Sequence, residues 1–187
     1  CRATGNKAST TVKVATGWWV WDAACSFEGW GMGTKGTSFE VTEDRMVVTT
    51  APQSSGALRA DLTLDTKNTK VIMDLANYPV IALHTNLPNI SKQGYTLDLV
   101  ASNGTKGESK LSKGEALSDG TKLLLYDVKS LNKFAEGEVT FTTFQIKIAD
   151  MQPAELPSGQ YEVYWIRTFA SKEEAVRFAE DQIAADK

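Results

Sequence analysis

An antiparallel β-sandwich of jelly-roll type, carrying one C-terminal helix, is the fold this sequence predicts. Three observations lead there. β-Branched and aromatic residues alternate with polar ones at period two in a series of short segments. Turn residues punctuate the segments at the spacing of sandwiches and jelly rolls. The βαβ rhythm of a doubly wound fold is missing.

Residues 1–10 are polar and read as an N-terminal tether, and the sandwich is expected over 11–187. Thr10–Ala15 (TTVKVA), Thr37–Thr42 (TSFEVT) and Arg45–Thr50 (RMVVTT) alternate, the last two joined by the polar connection Thr42-Glu43-Asp44-Arg45. In Ala57–Leu64 (ALRADLTL), Leu58, Ala60, Leu62 and Leu64 share one face, and Arg59, Asp61 and Thr63 share the other. Lys70–Leu75 (KVIMDL) is more uniformly apolar and reads as a central strand. Pro79–Thr85 (PVIALHT) starts with proline, which a strand tolerates at its first residue. Tyr95–Ala101, Lys122–Val128, Val139–Ala149 and Tyr161–Phe169 complete the strands. Asp65–Asn68, Asn103-Gly104, Asp119-Gly120 and Leu156–Gly159 supply turns, Asn-Gly being the strongest short hairpin signal. Ser102–Thr121 is expected to be one long polar loop, and Ser130–Ala135 one extra helical turn.

The helix occupies 171–187. Ser171 caps it and Glu174 sits three residues on, the spacing of a capping box. Ala175, Phe178, Ala179 and Ile183 form an apolar stripe at helical spacing, and Glu173 and Arg177 stand four apart.

A chain of 187 residues with 42% hydrophobic and 23% charged residues is long enough to build a core without staples. Its net charge of -3 lacks the basic excess of a nucleic-acid binder. No apolar run reaches the length of a membrane span. Cys1 stands where the acylated cysteine remains after a bacterial lipoprotein signal peptide is removed. A lipid anchor at the bacterial cell surface or outer membrane, facing outward or into the periplasm, is therefore expected. The other cysteine, Cys25, has a small-residue setting that suits a buried thiol.

Catalytic chemistry is weakly signalled. His84 is the single histidine, so a zinc site of cysteine and histidine is disfavoured, and no Gly-x-Ser-x-Gly elbow is present. Glu28, Glu40, Asp61, Asp74 and Asp98 are candidate acids for glycoside hydrolysis, but solvated or loop-fixing roles suit them better. Gly31-x-Gly33 is a fragment of a phosphate loop without its lysine or its helix. A structural calcium ion on carbonyl and carboxylate oxygens suits such a sandwich, although no aspartate-rich loop demands one; no other cofactor is expected.

The tryptophans carry more information. Trp18, Trp19, Trp21 and Trp30 crowd into one short N-terminal stretch. In a strand, Trp19 and Trp21 point one way and Trp18 the other. One face belongs to the core, and an exposed indole covers a loop, a partner or the C–H face of a sugar ring.

The stretch WWVWDAACSFEGWGMG resembles the opening of β-sandwich carbohydrate-binding modules. YEVYWIRTFASKEEAVRF resembles the terminal strand and helix of Bacteroidetes surface lipoprotein domains of glycan-utilisation systems, and YPVIALHTNLP their strand leading to a ligand-side loop. The resemblance implies a galactose-binding-like jelly roll attached to the cell surface that binds a glycan without catalysis. The expected ligand residues are one or more of the stacking rings Trp18, Trp19, Trp21 and Trp30, with Arg59, His84 and Asn86 as hydrogen-bond partners. Two other readings stay open. One is a jelly-roll polysaccharide lyase or glycoside hydrolase using His84, or a carboxylate pair with Tyr78 or Tyr126. The other is a protein-interaction or adhesion module.

Overall fold

The computed structural model describes residues 29–42, 44–68 and 70–186 in full, and the backbone of two strands at 11–13 and 18–20. Cys1, Trp21, Cys25 and Glu28 lie outside the described residues, as do the side chains of Trp18 and Trp19.

In chain order the strands are β1 (Thr11–Lys13), β2 (Trp18–Val20), β3 (Trp30–Met32), β4 (Ser38–Val41), β5 (Met46–Thr49), β6 (Ala51–Pro52), β7 (Leu58–Arg59) and β8 (Leu62–Leu64). There follow β9 (Lys70–Asp74), β10 (Val80–Thr85), β11 (Tyr95–Ala101), β12 (Lys106–Leu111), β13 (Glu115–Ala116), β14 (Lys122–Asp127), β15 (Glu138–Ile148) and β16 (Gln160–Phe169). A single 3₁₀ turn, Lys129–Leu131, precedes β15, and the helix α1 (Lys172–Ala185) follows β16.

The strands form a sandwich. One sheet runs β1-β9-β15-β11-β12, with β8 and β3 added beside β15. The other runs β13-β14-β10-β16-β5-β4, with β2 also on β16. β6 and β7 make a small ribbon. Only the β1–β9 pair is parallel among the described strands. Alternate residues from both inner faces fill the core: Met46, Val48, Ile81, Leu83, Tyr161 and Val163 from one sheet meet Val71, Leu97, Phe141, Phe144 and Ile146 from the other.

α1 packs on the outer face of the second sheet and builds a second core. Ala175, Ala179 and Ile183 sit there with Val80, Ala82, Leu123, Trp165 and Phe169. β10 is therefore apolar on both faces and buried along its whole length. Ser171 caps α1 as expected, its Oγ accepting from Glu174 N at 3.1 Å. Glu174 in turn accepts from Ala170 N, one residue earlier than a strict capping box requires.

Three sequence expectations need correction. Ala57–Leu64 does not form one strand: it breaks into β7 and β8 because Asp61 turns inward, 2% exposed, to pair with Arg59. The segment 102–121 holds β12 and β13. β12 is an edge strand with little apolar patterning, so its sequence (KGESKL) carries no alternation to read. β9 is an interior strand, but its burial alternates, so only one face is covered. The glycine-rich stretch around Trp30 forms the strand β3. A Cβ at Gly33 would lie 2.5 Å from Thr63 Oγ1 and 2.7 Å from Gln145 Nε2, so glycine there serves close strand approach.

Candidate functional site

A β-bulge creates the site. β10 pairs with β16 in register from Val80↔Phe169 to His84↔Trp165, and then Thr85 pairs with Val163. Tyr164 is the extra residue. Tyr161 and Val163 face the core before the bulge and Ile166 faces it after, so Tyr164 and Trp165 fall consecutively on the outer side. Both rings close on His84, with centroids 4.6 Å and 5.2 Å away.

A cavity of about 480 Å³ opens at this point, within the range of small-ligand sites. Three further elements complete its walls. The β4–β5 hairpin turn brings Asp44 and Arg45, the β13–β14 turn brings Asp119 and Thr121, and the end of α1 brings Gln182, Ile183 and Asp186.

Hydrogen bonds hold these walls rigid. Arg45 donates from Nε and Nη2 to the two oxygens of Asp44, at 2.8 and 2.9 Å. Its Nη1 donates to Glu162 Oε2 at 2.9 Å, and its guanidinium lies 5.2 Å from the Tyr164 ring centroid. The Tyr164 hydroxyl donates to the same Glu162 oxygen at 2.7 Å. The Arg45 hydrogen bonds keep the Asp44 carboxyl below its usual range. Burial pushes the Tyr164 hydroxyl up, and its bond to Glu162 adds to the shift. Trp165 Nε1 donates to Gln182 Oε1 at 2.9 Å, fixing α1 to the bulge. Ser118 donates from N and Oγ to Glu180, fixing the β13–β14 turn to the same helix.

His84 is 7% exposed at the base of the cavity, and burial drives its pKa down to about 4 against the opposing pull of Asp119. Its Nε2 lies 2.7 Å from Thr121 Oγ1, which donates to Asp119 Oδ1 at 2.6 Å. With the threonine proton directed to the carboxylate, Nε2–H must donate to Thr121, leaving Nδ1 as a bare acceptor. Nδ1 is buried without a hydrogen-bond partner among the described residues.

Of the expected ligand residues, the structure brings His84 to the cavity and sends others elsewhere. Trp30 is a core residue with no exposed surface, edge-on to Phe144 at 5.9 Å, and offers no face to a ligand. Arg59 is tied to Asp61, its Nη2 2.6 Å from Oδ2. Asn86 is exposed but uses Oδ1 to accept from Glu162 N at 2.7 Å, pinning β16. β2 pairs with β16 through Trp18↔Arg167, Trp19↔Ile166 and Val20↔Trp165, so its backbone runs alongside a strand that walls the cavity. Sequence reasoning passed over Tyr164, Arg45, Asp119 and Gln182. No sequence signal singles out the first, because two adjacent aromatic residues at 164–165 suit either face of a strand.

Three of the candidate acids, Asp61, Asp74 and Asp98, have structural tasks. Asp74 caps the turn at Ala76 and Asn77, and Asp98 pairs with Lys147 at 2.8 Å. Tyr126 is wholly buried in the main core, and Tyr78 lies outside the cavity lining. Among the described residues no group of three or more His, Cys, Asp or Glu is placed to hold a metal ion. No helix among them is long and apolar enough to cross a membrane.

Fold and cavity together define a β-sandwich domain with a polar, aromatic-backed cleft at one end of its helix-covered sheet. The chain belongs to a domain family of unknown function (DUF4979), whose model matches residues 19–175. No curated protein matches it in sequence. Among solved structures it is similar to variants of CBM29-2, a family 29 carbohydrate-binding module. One aligns at 13% identity and a TM-score of 0.42 over 82% of this chain and 92% of that one. Another, complexed with cellulohexaose, aligns at 14% identity and a TM-score of 0.42 over 86% and 96%.

Proposed function

We propose that this domain binds a carbohydrate in the cleft at the β16 bulge and does so without catalysis. One observation carries the reading: the bulge sets a half-buried tyrosine ring beside Trp165 in the wall of a cavity whose other lining residues, Ile183 apart, are polar or charged. A sugar has the matching pair of properties, an apolar C–H face and a periphery of hydroxyls. The clamp of Arg45 and Glu162 orients Tyr164 beforehand, which lowers the ordering cost of binding. Trp18, Trp19 and Trp21 remain candidates for extending the stacking surface, since the β2 backbone lies beside Trp165.

Catalysis fits the site poorly. His84 is neutral, has Nε2 committed to Thr121, and keeps Nδ1 out of solvent contact. Asp44 has both oxygens on Arg45.

The test is electrophoresis of the domain through gels containing soluble neutral, amine-bearing and acidic polysaccharides, with new reducing or unsaturated ends assayed in parallel. Retardation without new ends is expected, and Tyr164→Ala should abolish it while the thermal midpoint stays within a few degrees. Retardation that survives Tyr164→Ala would move the site elsewhere, and new ends would overturn the non-catalytic reading.

A further inference from the structure

A second cavity lies at the other end of the sandwich from the cleft. It measures about 310 Å³ and is walled by the turn after β9 (Leu75), the 3₁₀ turn after β14 (Val128, Lys129) and the segment leading into β15 (Asn132, Phe134, Glu136). β10 separates the two sites. Pro79, just before that strand, accepts from Val128 N at 3.0 Å, whereas His84 near the far end of the strand belongs to the cleft. At a strand rise of ~3.3 Å per residue, the sites stand roughly 15–20 Å apart.

The floor of this cavity is apolar and its rim is polar. Leu75 and Val128 are core residues, 3% and 1% exposed, and the half-buried Phe134 adds an aromatic ring. That ring stands edge-on to Phe141 at 5.2 Å and uses space that Gly107 leaves, since a Cβ there would lie 2.7 Å from Phe134 Cε2 and Cζ. On the rim, Lys129, Asn132 and Glu136 are exposed. The Lys129 ammonium and the Glu136 carboxylate make no hydrogen bond or ion pair among the described residues. The walls are fixed in advance. Leu75 N donates to Gly137 O at 2.8 Å, and Ser130 donates from N to Asp127 Oδ1 and from Oγ to Asp127 O. Asn132 holds φ at 52°, a left-handed conformation uncommon outside glycine, and its N–H donates to Lys129 O.

Resting on the carbohydrate reading only for the class of ligand, we propose that this cavity is a second glycan site, which takes one neutral hexose unit at the end of a chain and acts independently of the cleft. The C–H face of the sugar lies on Phe134, and its hydroxyls meet Asn132, Glu136 and Lys129. Lys129 and Glu136 carry opposite charges, so the rim favours neither an anion nor a cation. A wholly apolar ligand would strip water from three polar groups and replace none of it. The floor is the core itself, so a chain enters by its end and does not thread through. Long polysaccharides carry few ends, so retardation in a polysaccharide gel reads the cleft alone.

The experiment is an NMR titration of the full chain that follows the backbone amides of each site separately. The probes are linear tetramers of glucose, mannose and galacturonate. A neutral tetramer should shift the amides of Ala76, Lys129 and Glu136, and should still do so in Tyr164→Ala, which removes the shifts around the cleft. Asn132→Gly deletes the side-chain amide yet suits the left-handed backbone, and Glu136→Gln alters an exposed side chain. Each should weaken binding at the second cavity roughly fivefold or more and leave the cleft unchanged. Phe134→Leu keeps apolar bulk beside Phe141 and should abolish binding at the second cavity. If the shifts there vanish in Tyr164→Ala, they are relayed from the cleft and the inference falls. If only the cleft amides move, the carbohydrate reading stands and the second site is wrong. If only the second-cavity amides move, the second site stands and the cleft reading falls. If galacturonate moves them as far as the neutral tetramers do, the selectivity for a neutral unit is wrong. If no tetramer moves either set, both fall.

Discussion

Two side chains set the residue-scale energetics, His84 and Asp61. The folded pKa of His84, about 4, lies below the ordinary 6.5 that the unfolded chain shows. Above 6.5 both states are neutral there and the fold keeps its full stability. As pH falls from 6.5 towards 4, only the unfolded chain takes up the proton, so stability falls through that window. The loss should reach about 3 kcal/mol, and His84→Gln should flatten it; urea titrations between pH 7 and 4.5 measure both. Asp44, Asp119 and Glu155 are also held below their usual carboxylate values. Each loses its contribution only as pH drops through those depressed values, so the upper window belongs to His84. Asp61 poses a different problem. Its carboxylate is buried and Arg59 holds it through three contacts of 2.6–3.1 Å. Arg59→Ala strands that charge and should cost about 3 kcal/mol, whereas replacing both residues with apolar ones should cost less. Equal losses in the single and double variants would show that Arg59 acts through packing alone.

At the scale of elements, bulges link the pattern of the sequence to the site. In β15, Val139 and Phe141 face the core, and then Phe144, Ile146 and Ile148 do. The parity changes at Thr142-Thr143, where the pairing with β11 also slips. That slip is visible in the letters VTFTTFQIKIA, because the apolar spacing itself jumps. The slip in β16 is hidden, because Tyr164 and Trp165 are both aromatic and suit either face. This is why the strands and the helix were legible and the cleft was not. Its walls come from the turn at Asp44-Arg45, the turn at Asp119–Thr121 and the last turn of α1, which approach one another only in the folded sheet. The break at Asp61 and the edge strand β12 escaped for related reasons: a buried ion pair and an edge both lack an apolar signature. The helix start was readable because a cap is a local device. Ser171→Ala should cost about 1 kcal/mol, read from the shift in denaturation midpoint at unchanged slope. A change of slope as well would mean that α1 detaches independently of the sandwich.

At the scale of the whole molecule, the two cores are unequal, and the cleft belongs to the smaller one. The main core draws on both sheets, while the outer core rests on three buried residues of a helix that ends the described chain. Burying Ile183 contributes about 2 kcal/mol, two alanines add less, and the half-buried Phe178 ring packs on Trp165 and Phe169, so α1 rests on a smaller apolar contact than the sheets share with each other. Its anchors to the sandwich include the Trp165–Gln182 and Ser118–Glu180 hydrogen bonds, the first within the cleft and the second on the turn that walls it. Amide exchange should therefore divide the molecule. Protons of β10, β11, β15 and β16 should exchange only through global unfolding, and those of α1 through a partial opening of lower free energy. A ligand seated in the cleft, between the turn at Asp119 and the end of α1, acts against that opening. Saturating glycan should slow exchange in α1 and in the turn at 117–121 while leaving β11 and β15, on the far sheet, unchanged. Protection that rises equally everywhere would place the ligand on the main sandwich, and faster exchange in α1 would mean that binding requires the helix to lift.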